Sequence, residues 1–404
     1  MTKFIYADHS ATTPVKQEVI DAMLPLLKED FGNPSSIHRY GKKAQFHLQN
    51  SRETIAKILN AFPEQIYFTS GGTESNNTII FGIEKLIEDK KLLKSKHIIT
   101  SKIEHSSIKI PLEYLENKGW KITWLNVDSE GFIDIEEFKN HIKNDTALVS
   151  IIHANNEIGT IQNLKTISDI CKKHKALFHT DAVQSFCKIP IDVKDINVDF
   201  LSVSSHKIYG PKGTGALYIK SHENILPLIM GGGQENDMRS GTENLPGIVG
   251  FSTAAKLLSD DMVKNATDLR KLQINLIEEL LINKNVILTG PKPLFRIPGH
   301  VSICCKDLEG ESLVLQADIA GIAISSGSAC SSRDAINRVP TVQPSHVIEA
   351  IGIPDNFKQG SLRITLGIEN TSEDVKYIAK AIRNILEKLS KAYSSKGVIA
   401  SQTK

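Results

Sequence analysis

At 404 residues, with 40% hydrophobic and 23% charged side chains, the chain is long enough for two or three domains and has the make-up of an ordinary soluble globular protein. A formal net charge of +2 argues against a nucleic-acid footprint, and no apolar run reaches the length of a membrane-spanning helix. Five irregularly spaced cysteines and an N-terminus, MTKFIYADHSATTP, without a secretory pattern argue against a disulfide framework and point to a reducing, cytoplasmic setting.

Phe4–Pro14 reads as an extended arm. Val15–Glu29 carries apolar residues at helical spacing, with Pro25 as a bend or stop. Phe31–Gly41 is a loop by composition, and Lys42–Asn60 a helix. From there strands and helices alternate. Strands are expected at Gln65–Ser70, His97–Ser101, Lys121–Val127, Ala147–Ala154, Leu177–Thr180, Asp199–Val203 and Ala216–Lys220. Helices fall between them at Thr73–Lys90, Ser106–Asn117, Asp134–Ile142 and Leu164–His174. The alternation predicts an α/β fold: a large, mostly parallel sheet flanked by helices, with functional loops beyond the carboxyl ends of its strands. Asn244–Glu279 reads as one long helix, and the domain change is placed near Asp260. Beyond it come short strands (Val286–Thr289, Val301–Cys305, Ile322–Ser325, Ser361–Leu366) and helices (Glu311–Asp318, Ser345–Ile351, Ser372–Leu389). The expected division is a large domain at 15–260 and a smaller α+β domain from 1–14 and 261–404. Ser394–Lys404 is expected to fray.

The chemistry gathers at strand ends. SSHKIYGPKGTG (Ser204–Gly215) sets Lys207 between a strand and a glycine-rich turn. A lysine held there and partly desolvated can form an imine with an aldehyde cofactor, because burial frees its amine at neutral pH. Ser204, Ser205 and His206 crowd the same turn with groups able to hold a phosphate. SGGTESNN (Ser70–Asn77) follows a strand and opens a helix. There Gly71 and Gly72 admit close approach, Thr73 brings a hydroxyl, and the helix N-terminus attracts an anion; a plain cap by Thr73 is the competing reading. In HTDAVQS (His179–Ser185), Asp181 ends a strand where an inward carboxylate needs a cation, such as a protonated pyridine nitrogen. Gln184 can reach a ring hydroxyl. Asn155 and Asn156 in HANNEIG end another strand; one can face a ring and substrate, and turn chemistry is the alternative. His105 in EHSSI can lie over an aromatic ring and move protons, or be structural. Together these strand ends supply an anion grip, ring support, a pyridinium partner and an imine lysine, the set that pyridoxal phosphate (PLP) requires.

Two residues lie beyond that set. Cys330, in SSGSACSS (Ser325–Ser332), sits among small residues where a thiolate is accessible. Arg363, in SLRITLG, needs an anion, either a substrate carboxylate or a nearby glutamate. Cys171, Cys187 and at least one of Cys304 and Cys305 read as core residues.

On IYADHSATTP, NPSSIH, TSGGTESNN, EHSSI, HANNEIGT, HTDAVQS, SSHKIYGPKGTGALY, RSGTENLPGIVG, SSGSAC and SLRITLG, in that order, the chain resembles the cysteine desulfurases of the NifS/IscS family. These are fold-type I PLP enzymes of the class V aminotransferase superfamily, and the resemblance runs from about Phe4 to Leu389; SSGSAC marks group I. It implies conversion of L-cysteine to L-alanine, with a persulfide formed on Cys330 and passed to an acceptor in iron–sulfur cluster assembly, tRNA thiolation or another sulfur pathway. By resemblance, Lys207 carries the cofactor and His105 stacks on its ring and assists proton transfer. Asp181 pairs with the pyridine nitrogen and Gln184 contacts the phenolic oxygen. Gly72, Thr73, Ser204 and His206 hold the phosphate. Thr242 reaches the phosphate of a partner subunit, which implies a homodimer; Asn156 and Arg363 bind the substrate carboxylate. No metal, membrane or direct nucleic-acid contact is implied. The stretch SSRDAINRVPTVQ after Cys330 is longer than usual in the family, adding Arg333 and Arg338, and the tail lacks the terminal motif of IscS-type members. A selenocysteine lyase or an aminotransferase shares the lysine, aspartate and phosphate cradle, but a transaminase needs no cysteine at 330.

Overall fold

The computed structural model describes residues 4–90, 94–222, 225–327 and 344–401. Cys330, Arg333 and Arg338 lie outside the described residues. The arm opens with β1 (Ile5–Tyr6), followed by α1 (Gln17–Lys28) and α2 (Arg39–Leu59). Pro25 does not end α1; its carbonyl accepts from Glu29 and Asp30 N–H in the closing turn.

The large sheet comprises β2 (Ile66–Thr69), β3 (His97–Ser101), β4 (Lys121–Leu125), β5 (Leu148–Ile152), β6 (Leu177–Asp181), β7 (Phe200–Ser204) and β8 (Gly215–Ile219). Its order is β2-β8-β7-β6-β5-β3-β4, parallel throughout except for β8, which runs antiparallel to both neighbours. The strands between are joined by α3 (Gly72–Glu88), α4 (Ser106–Asn117), α5 (Ile135–His141), α6 (Leu164–Lys173) and the short α7 (Val193–Ile196). Such a sheet is covered on both faces, which explains the near-continuous apolar runs of its strands. Val149, Ile151, Phe178 and Leu201 pack on one side with Ile55 and Leu59 of α2 and with Phe251. Leu148, Phe200 and Leu217 point the other way, onto Ile79 and Ile83 of α3 and Leu112 of α4.

The long helix expected from Asn244 is two helices, α8 (Leu245–Asp260) and α9 (Met262–Leu281), parted at Asp261, whose backbone (φ −106°, ψ 9°) leaves the helical region. Beyond it, β9 (Val286–Leu288), β10 (His300–Cys305) and β12 (Ser361–Thr365) form a three-stranded antiparallel sheet, while β11 (Ile322–Ala323) pairs in parallel with β1. The helices here are α10 (Gly310–Ile319), α11 (His346–Ala350), α12 (Asp355–Lys358) and α13 (Ser372–Ser401). Their core is separate, built from Leu276, Val301, Ile303, Leu313, Ile364 and Ile378, and it takes in Ile5 and Ala7 of the arm. Of the tail segment expected to fray, residues 394–401 carry helical backbone, and 402–404 lie outside the described residues.

Candidate active site

The strands β2, β3, β5, β6 and β7 run the same way, and their carboxyl ends meet over a cavity of about 430 Å³. Gly72, Thr73, His105, Asn156, Asp181, Gln184, Ser204, His206, Lys207 and Arg363 all line it. Thr242 does not; it is exposed on the single chain.

The first wall is the start of α3. Its N-cap is Gly71, and no side chain caps it, so the first-turn N–H groups keep their hydrogen-bonding capacity and the positive end of the dipole. Capping by Thr73 is thereby set aside. Gly72 is required by space: a Cβ there would come within 2.6 Å of Val183 Cγ2. Ser204 and His206 complete this end, with His206 Nδ1 3.2 Å from Thr12 Oγ1. Burial, together with Lys207, Lys212 and Lys188, holds the His206 imidazole down at about 4, so it is neutral.

The floor is a hydrogen-bonded chain. Asn76 of α3, fully buried, donates one amide hydrogen to Asp181 Oδ2 (2.7 Å) and the other to Ser107 Oγ (2.8 Å). Ser107 Oγ lies 2.8 Å from His105 Nδ1, and the Ser107 N–H donates to the same nitrogen. Nδ1 is therefore an acceptor, and in the neutral ring Nε2 carries the proton. Asp181 Oδ1 accepts from the Val183 N–H (2.9 Å). These partners of Asp181 are uncharged, which leaves the carboxylate's charge for a cation in the cavity. Burial, followed by the repulsion of Lys207, lowers the pKa of His105, against the pull of Asp181.

Opposite stand Lys207 and Arg363. Lys207 Nζ donates to the carbonyls of Ser10 and Ala11, both at 2.7 Å, so the arm orients the amine. Gln184 Nε2 donates to the same Ser10 carbonyl at 2.9 Å. The resident anion of Arg363 is Asp8, at 2.9 Å, rather than a glutamate. Nη1 reaches the Asn156 carbonyl at 3.3 Å, and Nε has no partner among the described residues. The two asparagines divide their roles: Asn155 Oδ1 accepts from Glu157 and Ile158 N–H and builds the turn, while Asn156 lines the cavity.

Asp8, Ser10, Asn76 and Ser107 went unseen in the sequence. Each lay within a stretch that was noticed for other residues, and the arm gave no sign that it crosses to Lys207 and Arg363. The four described cysteines, Cys171, Cys187, Cys304 and Cys305, are buried, and burial pushes each thiol upward, away from thiolate at neutral pH. Among the described residues no cluster of side chains is arranged to hold a metal ion, and no helix is long and apolar enough to cross a membrane.

The class-V aminotransferase family profile matches residues 5–378. A relative from Dictyoglomus turgidum, named cysteine desulfurase IscS, is 45% identical over 392 residues, covering 96% of either chain. This chain belongs to the cysteine desulfurase family. A solved NifS-like protein superposes with a TM-score of 0.86 at 37% identity, covering 95% of this chain and 99% of that one. A second solved structure, described as SspA in complex with cysteine, gives a TM-score of 0.77 at 34% identity, covering 91% of this chain and all of its own. The superposition with the NifS-like protein, covering 95% of this chain, takes in both the seven-stranded and the three-stranded sheet.

Proposed function

We propose that this chain is a PLP-dependent cysteine desulfurase that converts L-cysteine to L-alanine and passes the sulfur to an acceptor protein. The observation that carries the reading is the convergence of Lys207, Asp181, His105 and Arg363 on one cavity. The donor set fits the cofactor: an uncapped helix start for the phosphate, a carboxylate bonded to neutral amides for the pyridinium, and an oriented amine for the aldehyde carbon. When bound, the cofactor supplies an electron sink for bond cleavage at the substrate.

The protein's own groups do the rest. Gly72, Thr73, Ser204 and His206 hold the phosphate, and Asp181 keeps the ring nitrogen protonated. His105 covers the ring and holds a proton at Nε2. Arg363 and Asn156 take the substrate carboxylate, with Arg363 sharing its charge between that group and Asp8. Lys207, freed when substrate binds, receives the Cα proton at Nζ. Cys330 then attacks the substrate sulfur as a thiolate. The Cβ–S bond breaks with its electron pair left on carbon, an S–S bond forms on Cys330, and the carbon fragment takes up one proton at Cβ and the Lys207 proton back at Cα to leave as alanine. The burial of the four described cysteines supports Cys330 in this role. The relative solved with cysteine supports L-cysteine as substrate. A homodimer, with Thr242 reaching the partner's phosphate, and a reducing cytoplasmic compartment complete the reading.

The test is product analysis. With L-cysteine and a thiol reductant, alanine and sulfide should appear in equal amounts, and Lys207→Ala should abolish both along with the visible absorbance. A keto acid in place of alanine would instead identify a transaminase.

A further inference from the structure

Behind Gln184 stands a second lysine that the reaction does not use. Residues 183–188 form a run of turns after β6, with Ser185 and Phe186 N–H bonded to the Ala182 carbonyl and Lys188 N–H to Ser185. That winding places residues four apart on one side, and Lys188 Nζ reaches Gln184 Oε1 at 3.3 Å. An ammonium can only donate and a backbone carbonyl can only accept. Lys188 therefore fixes Oε1 on its own side, and the Ser10 carbonyl takes one hydrogen of Nε2. The second Nε2 hydrogen is left for the cavity that Gln184 lines. Lys188 also borders a small cavity of about 50 Å³ with Lys207, His9 and His300, and so stands at the rear of the same wall.

We propose that Lys188 is a positioning residue: it locks the Gln184 amide with its N–H toward the cavity and sets a positive charge behind the cofactor site. This rests on the reading of Gln184 as the partner of the cofactor's ring oxygen. The charged and titratable groups felt at Lys188 are Lys207, Arg363, His9, His206 and His300, all of them basic. Burial first, then Lys207 and Arg363, bring its amine down to about 7, so the charge and the donor-only ammonium belong to the acid side of that value and both lapse above it. No carboxylate offsets the cations it faces among these groups. Each cation nearby favours loss of a proton from the bound chromophore, and a strengthened N–H at the ring oxygen acts in the same direction.

The experiment is a pH titration of the visible absorbance of the holoenzyme. It compares wild type with Lys188→Met, Lys188→Arg, Lys188→Gln and Gln184→Leu. Lys188→Met should move the midpoint alkaline by about one pH unit and lower kcat more than it raises KM, and Lys188→Arg should restore the midpoint. Should Lys188→Met fail to fold, Lys188→Gln, which keeps a donor and loses the charge, should still shift the midpoint alkaline. If the Lys188 variants titrate like wild type while Gln184→Leu shifts, the inference is overturned and the reading of Gln184 stands. If Gln184→Leu leaves the midpoint unmoved, it is the reading of Gln184 that fails.

Discussion

The residues that matter most here are those whose role is set by buried neighbours. Asp181 is held by Asn76 and the Val183 N–H, and its removal leaves a ring nitrogen without its counter-charge. Asp181→Ala should lower turnover by about 10²–10³-fold, read as alanine formed per active site, with folding unchanged by circular dichroism. Glu104 gives a pH test. It is fully buried, bonded to Ser101 Oγ and the Ile152 N–H, and burial raises its carboxyl to about 8 from an ordinary 4.5. The folded chain therefore keeps a proton that the unfolded chain loses, so rising pH between those values destabilises the fold. Glu104→Gln cannot ionise; its stability relative to wild type should climb between about pH 5 and about pH 8 in denaturant titrations. A constant difference would show that Glu104 does not carry this proton. Of the site itself, ten positions named in the sequence line one cavity. Nine of them were legible because each ends or follows a strand in a distinctive polar run, and Arg363 because an arginine within a strand needs an anion. Asn76 and Asp8 were not, since a helix-interior asparagine and an arm aspartate reveal their partners only once the chain is folded.

At the scale of elements, the alternation of strands and helices was readable because strands buried on both faces are apolar throughout, as in β5, LVSII. The ends moved by a residue or two, where hydrogen bonding rather than hydrophobicity decides. What composition could not supply was the pairing of distant pieces. The arm strand β1 joins β11, more than 300 residues away, and so carries Ser10 and Ala11 to Lys207. The start of α3 offers an element-scale prediction. Gly72→Ala gains helix propensity but drives a Cβ to 2.6 Å from Val183 Cγ2, pushing the helix start off its anion site. The variant should retain cofactor about tenfold less well in equilibrium dialysis. Adding Val183→Ala should restore most of that loss, whereas no recovery would mean the contact is not the cause.

Over the whole molecule, the cavity lies between the seven-stranded sheet, with a hydrophobic core on each face, and the part of the chain whose separate core lies against the three-stranded sheet. Arg363 and Ser325 reach the site from the second side, and the Asp181, Asn156 and Lys207 segments from the first. The homodimer is a prediction at this scale. Thr242 is exposed on one chain and outside its own cavity, so Thr242→Arg should lower cofactor occupancy while leaving the monomer's circular dichroism unchanged. Sedimentation should give two chains per particle.

The central claim is that sulfur leaves L-cysteine for Cys330. Peptide mass spectrometry of the holoenzyme, after L-cysteine and without reductant, tests it most directly. The account predicts that the Cys330 peptide gains the mass of one sulfur atom as one alanine appears. It also predicts that Cys330→Ala, still coloured, makes neither the adduct nor alanine at the wild-type rate. Added sulfur on Cys171, Cys187, Cys304 or Cys305 instead, or full alanine production by Cys330→Ala, would contradict it.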